Sequence, residues 1–316
     1  MALTLAEAAK QLPPGEEFRA KIQEAYAKSH PILDVLPMVP IKGGAVRYNV
    51  EQSLPGIAFR GVNEAWSEST GIVNPVVESL VIAGGEAKVD AHIIRTRGEE
   101  TMNSTVASKL KSLSHSVGHK FIKGDSDADA REFDGLQRRI VGPKKIAPNT
   151  GNTSGPISWP VMDELIDLVE EPTHLIMSRA MRRNLTTGAR DPAKANHFSM
   201  DYDRFGQRVE RWNGIPIIFV DRNMDMFASL AFDEADYTGS GSTFTSIYCV
   251  SFREGGVTGL IGEAGMQVEM IGAPIGAVPA QGVRVELDIG FAFWTPHCAA
   301  RVAGITNAAA VATKPS

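Results

Sequence analysis

EETMNSTVASKLKSLSHSVGHKFIK, residues 99–123, carries Met102, Val106, Leu110, Leu113, Val117 and Phe121 at intervals of four, four, three, four and four. That period predicts a helix with one narrow apolar stripe. At 1.5 Å per residue it is roughly 37 Å long, beyond the usual globular helix, and Gly124 supplies its C-terminal stop. A long helix with a single stripe is a strut. His115 and His119 lie four apart on it, the spacing of two metal ligands on one face. Turning 100° per residue puts both nearly opposite the stripe, and no Glu completes an HExxH pattern. The expectation is a polar outer or intersubunit face without a metal.

Upstream of the strut, residues 3–29 read as a helix broken at Pro13 and Pro14. HPILDVLPMVP (30–40) reads as extended chain, because three prolines forbid a helix through it. The segment is expected to be an arm and not a core element. AVRYNVEQ (45–52) alternates Val46, Tyr48 and Val50 with Arg47, Asn49 and Glu51, the period of a half-buried strand. PVVESLVIAGGEAKVDAHII (75–94) reads as a second strand pair turning on Gly84-Gly85. Between them SLPGIAFRGVNEAWSESTGIVN (53–74) has neither period, and a loop of that length is uncommon unless it has a task. Its Leu54, Ile57, Phe59 and Trp66 need cover that a protruding hairpin cannot give itself, so a partner subunit is expected against them.

Downstream, SWPVMDELIDLVEEPTHLIMSRAMRRNLTTG (158–188) reads as helix, buried strand and helix, with Ser158 and Ser178 as caps and Gly188 as a stop. QRVERWNGIPIIFVD (207–221) predicts a hairpin turning on Asn213-Gly214. MQVEMI (266–271) and GVRVELDIGFAF (282–293) predict long antiparallel strands, with Val283, Val285, Leu287 and Ile289 inward. The Ala-rich end, AGITNAAAVATKPS (303–316), reads as frayed.

The 316 residues are 43% apolar and 22% charged, an ordinary globular composition. A net charge of −5 argues against a protein whose main task is to grip nucleic acid. No run approaches the ~20 apolar residues of a membrane span, and the N-terminus does not read as a signal peptide, so a soluble protein made in the cytoplasm is expected. Cys249 and Cys298 form no CxxC or Cys/His cluster and read as buried free thiols.

Candidate chemistry is sparse. DSDADAREFDGL (125–136) imitates a calcium loop through Asp125, Asp127 and Asp129, but Ala130 replaces the required Gly and Leu136 the required Glu. GSGSTF (239–244) lacks dinucleotide or P-loop spacing and reads as a mobile loop. No GxSxG motif frames a serine, and no catalytic residue is assigned. The basic residues Arg138, Arg139, Lys144, Lys145, Arg179, Arg182 and Arg183 read as a solvated or subunit-facing salt-bridge surface.

Four segments, taken in order, resemble the major capsid protein of tailed double-stranded DNA bacteriophages, the Hong Kong 97-type fold. They are the hairpin region 39–97; helix 99–123 followed by REFDGLQRRI; PTHLIMSRAMRRNL with WNGIPIIFVD; and EGGVTGLIGEAGMQVEMI with GVRVELDIGFAFWTP. The resemblance implies an α+β chain: an N-terminal arm (1–38), an E-loop with its base strands (39–97) and a P-domain with the spine helix (98–155). A compact A-domain (156–261) and returning P-domain strands with the tail (262–316) complete it. It further implies self-assembly as pentamers and hexamers into an icosahedral virion capsid, built in the host bacterial cytoplasm around non-specifically contacted double-stranded DNA. No catalysis, cofactor or metal is implied.

A portal and a decoration or cement protein are further partners the resemblance implies. Some relatives carry a long N-terminal scaffolding segment; here the arm starts within the first few residues, so a separate scaffolding protein is expected. Some relatives crosslink an E-loop lysine, and this chain has none between Lys42 and Lys88, so covalent crosslinking is not expected. The alternatives are an encapsulin-like compartment shell and, more distantly, an α/β enzyme with an unrecognised site.

Overall fold

The computed structural model describes residues 3–10, 17–98, 100–188, 198–202, 208–220, 229–271 and 279–314. The chain opens with β1 (Leu3–Thr4), α1 (Leu5–Lys10), α2 (Glu17–Lys28), α3 (Pro31–Val35) and β2 (Pro37–Ile41). A ribbon of β3 (Ala45–Ser53) and β4 (Ile72–Ser79) leads into β5 (Val81–Asp90), α4 (Ala91–Arg97) and the strut α5 (Glu100–Lys123). Next come α6 (Leu136–Arg139), β6 (Lys145–Ile146), α7 (Trp159–Asp167), β7 (His174–Met177), α8 (Arg179–Gly188), β8 (Phe198–Tyr202), β9 (Arg208–Trp212) and β10 (Ile215–Phe219). The last strands are β11 (Thr245–Val250), β12 (Val257–Gly262), β13 (Gln267–Ile271), β14 (Ala280–Phe293) and β15 (Ala299–Ile305).

Two sheets carry the molecule. In the first, β14 pairs β12 and β13 along one edge and β5 along the other, while β2 joins β12 in parallel and β1 closes the far side. Alternation along β14 sends Val283, Val285, Leu287 and Ile289 into one core, as its period of two requires. The stripe of α5 packs on that core, with Phe121 edge-on to Phe291 at 4.6 Å.

The second sheet runs β6-β15-β11-β7-β10-β9-β8 and is buried on both faces through its centre. Ile247 and Cys249 of β11 face α7 and α8, whereas Tyr248 and Val250 join the core under the strut. One strand therefore ties both halves together. The tight β9–β10 hairpin turns where expected, with φ of 47° at Asn213 and 83° at Gly214.

Several expectations need correction. The N-terminal segment is not an arm outside the core: Leu5, Ile22, Tyr26, Ile32, Leu33 and Leu36 are buried in it. Pro31 does not forbid a helix; it occupies the first turn of α3, where its missing N–H costs nothing, and β2 follows. Gly84-Gly85 is no turn but lies mid-strand in β5, where a methyl at Gly84 would fall 2.6 Å from the Val285 carbonyl oxygen. β4 and β5 are thus not a hairpin, since β4 pairs only with β3.

Residues 91–94 leave the expected strand for α4, which Asp90 caps by accepting the His92 N–H at 2.7 Å. Ser158 stands at the start of α7 without a side-chain capping bond, whereas Ser178 does cap α8, accepting from Met181 N at 3.2 Å. β12, read with residues 156–261, belongs to the first sheet, and β15, read with the returning strands, crosses into the second. The Ala-rich end is held, with Val311 N donating to Ile157 O at 2.9 Å and Ala310 N to Asn184 O at 3.2 Å. His115 and His119 are half-buried and not wholly outward: α2 and α3 pack on a second flank of the strut, with His30 against Gly118 and 5.8 Å from the His115 ring.

Candidate subunit interface

The β3–β4 ribbon pairs from Ala45–Ser79 to Ser53–Ile72 and joins no other strand. On its inner face Tyr48 packs against Trp294 at 4.7 Å. Beyond Ser53 the chain runs without regular structure to Gly71. There Leu54, Ile57, Phe59 and Trp66 are 78%, 90%, 99% and 65% exposed. Sequence reading missed Val62, 94% exposed, and the outward Val73 and Val77 of β4. The doublets Ile72-Val73 and Val76-Val77 were the signal, since neighbours on a strand face opposite ways and a two-stranded ribbon cannot bury both. Apolar side chains exposed together along one ribbon and loop make a surface that a partner could cover.

The loop is nevertheless organised. Ser69 Oγ accepts from Gly56 N at 2.9 Å, and Ser53 Oγ from Ile72 N at 3.3 Å. Arg60 lies 5.5 Å over the Trp66 ring and donates to Glu64 O at 2.8 Å. Such pre-ordering lowers the conformational entropy lost when a partner covers the loop.

A clasp fixes the ribbon to the body. Arg139, on α6, grips Glu78 of β4 through both terminal guanidinium nitrogens, Nη2 to Oε2 at 2.6 Å. The two side chains are only 15% and 12% exposed. Tyr48 donates to Glu78 at 3.3 Å and accepts from Phe293 N at 3.3 Å; burial, with Glu78 beside it, pushes its hydroxyl pKa up to about 12. Arg139 also lies 5.1 Å over the Phe293 ring. The clasp thus ties the base of the ribbon to α6 and to β14.

Several of the other basic residues pair within the chain, while Arg183 is exposed. Arg138 bonds Asp125 at 2.7 Å, Asp127, and Asp134 at 3.1 Å, so a guanidinium sits among the carboxylates that imitate a calcium loop. Arg182 pairs with the buried Glu210, and Lys145 donates to Tyr237 O at 2.8 Å. Among the described residues no group of three His, Cys, Asp or Glu could hold a metal, and no helix is long and apolar enough to cross a membrane. Calcium, zinc or EDTA should leave thermal unfolding of the chain unchanged. A shift of several degrees with any of them would contradict the pairing just described.

No family model matches the chain, and no curated protein does. Solved structures do. The holo-SrpI encapsulin complex from Synechococcus elongatus PCC 7942 aligns with TM-score 0.63 and 16% identity over 87% of each chain. A structure of Mycobacterium phage Adephagia aligns with TM-score 0.59 and 12% identity over 100% of each chain. The capsid of a native GTA particle aligns with TM-score 0.59 and 13% identity over 87% of this chain and 90% of its own. The chain has the Hong Kong 97-type capsid fold.

Within it β3, β4 and the 54–71 loop make the projecting hairpin, α5 is the long strut, and β7, β10, β11 and β15 pack with α7 and α8 around a second core. The unit at 158–188 supplies α7, β7 and α8 to that second core, and its strand end carries no nucleophile elbow or phosphate loop.

Proposed function

We propose that the chain is the major capsid protein of a tailed double-stranded DNA bacteriophage, self-assembling as pentamers and hexamers into an icosahedral shell. The observation that carries this reading is the E-loop, a pre-ordered apolar projection whose Ile57 and Phe59 are 90% and 99% exposed in the isolated chain. A neighbouring subunit is the natural cover. The net charge of −5 fits a shell that contacts its DNA non-specifically and releases it readily. The chain acts without catalysis or cofactor, in the virion capsid after assembly in the host cytoplasm, with a separate scaffolding protein, a portal and a decoration protein as partners.

Purified particles test this. Closed shells that protect double-stranded DNA from nuclease support it; shells that enclose a protein cargo and no DNA support the encapsulin-like compartment instead.

Mature shells are also expected to come apart without a covalent ladder. Lys42 and Lys88, which flank the lysine-free stretch, pair with Glu263 at 3.0 Å and Glu86 at 2.8 Å. Burial pushes the Cys249 and Cys298 thiols up to about 12 and about 11, which suppresses the reactive thiolate. Boiling in detergent, with or without reductant, should give one band near 34.0 kDa. Pentamer and hexamer bands that survive reductant would contradict this.

A further inference from the structure

The N-terminal segment meets the spine helix at a joint of three imidazoles. His30 ends the turn between α2 and α3 and is 3% exposed. Its Nδ1 accepts the Ile32 N–H at 3.3 Å and so caps α3, which requires that nitrogen to be unprotonated. The ring lies across α5 at Gly118, where a methyl would fall 2.4 Å from it. The His115 ring stands edge-on at 5.8 Å, and His119 follows one turn later on the same flank.

The surroundings offer an imidazolium little compensation. From α5, Lys111 lies beside His115, and Lys120 and Lys123 lie beside His119. The carboxylates nearest His119 are already bound, Glu132 to Lys120 and Asp233 to Lys123 at 2.7 Å. On the N-terminal side Lys28 is paired with Glu24 at 2.5 Å, and Asp34 is exposed on α3.

We propose that this joint is an acid-released latch: protonation of His30 removes the cap of α3, leaves a charge buried beside two other imidazoles, and loosens residues 30–36 from the spine helix. Burial, then His115 and His119, push the His30 pKa down to about 4 from an ordinary 6.5. A folded-state value below the unfolded one means that its contribution is full above pH 6.5 and is lost as the pH falls toward 4. Segment 30–36 responds first because its amides depend on the cap, with Leu36 N bonded to Ile32 O at 2.9 Å.

Backbone hydrogen exchange of the full chain at pH 7.5 and 5.0, corrected for intrinsic rates, tests the latch. The joint lies within one subunit, so unassembled chain suffices and the result is independent of the shell reading. Protection at Ile32–Leu36 should fall about thirtyfold at pH 5.0 relative to the rest of the molecule. His30→Asn keeps an accepting cap that does not titrate, and should abolish that fall while matching the native protein at pH 7.5. An equal fall in His30→Asn, no fall in the native chain, or a loss spread evenly over the chain overturns the proposal. If His30→Asn does not fold, Gly118→Ala decides: its methyl displaces the ring, so protection at 32–36 should already be low at pH 7.5 and insensitive to acid. Native protection there in Gly118→Ala overturns it too.

Discussion

Arg139→Ala is expected to lower the stability of the subunit by about 3–5 kcal/mol, the usual cost of leaving one partner of a buried ion pair uncompensated. The carboxylate left behind is Glu78, 12% exposed, which would keep only the Tyr48 hydroxyl as a partner among the bonds described. The effect should reach beyond stability, because the clasp ties the base of the β3–β4 ribbon to the body. Calorimetry should show a marked fall in the unfolding temperature, and microscopy should show open or irregular assemblies. The apolar pair Arg139→Met with Glu78→Leu should recover much of the subunit stability, since a well-packed hydrophobic substitute often equals a buried ion pair. An Arg139→Ala protein with native stability and native shells would show that the clasp does neither job.

Replacing Phe59 and Trp66 together by Ser is expected to act in the opposite way, leaving the subunit intact and weakening the shell. Both side chains are exposed in the isolated chain, so nothing in its core is lost. At ~25 cal/mol per Å² of apolar area, each buried aromatic contributes on the order of 2 kcal/mol or more at a subunit contact. A closed lattice repeats that loss in every copy. The unfolding temperature of free subunits should therefore stay within about a degree or two of the native value, while shells dissociate at clearly lower denaturant concentration. Native resistance of the variant shells would remove the E-loop tip from the interface.

The elements with a strong period were legible in the sequence. The stripe of α5, the alternation of β14 and the Asn213-Gly214 turn each rest on local chemistry, and each stands where expected. Readings that depend on distant partners failed. Gly84-Gly85 looks like a turn until β14, some two hundred positions away in sequence, is seen to approach its backbone. The N-terminal segment looks like an arm because its prolines are visible, whereas the spine-helix flank that covers Tyr26 and Ile32 is not.

The candidate interface divides along the same line. Leu54, Ile57, Phe59 and Trp66 could be found as apolar residues in an aperiodic loop. The Arg139–Glu78 clasp could not, because 61 positions separate its members and neither residue type signals burial. Arg138 taught the converse: two of the three aspartates at calcium-loop spacing, Asp125 and Asp127, serve a guanidinium thirteen positions downstream of the first.

Electron cryo-microscopy of the purified particles tests the central claim most directly. The account predicts closed icosahedral shells of pentamers and hexamers in which residues 54–71 of each subunit lie against a neighbour, with Ile57, Phe59 and Trp66 covered. A chain that remains monomeric at concentrations suited to assembly, or shells in which that loop projects freely into solvent, would contradict it.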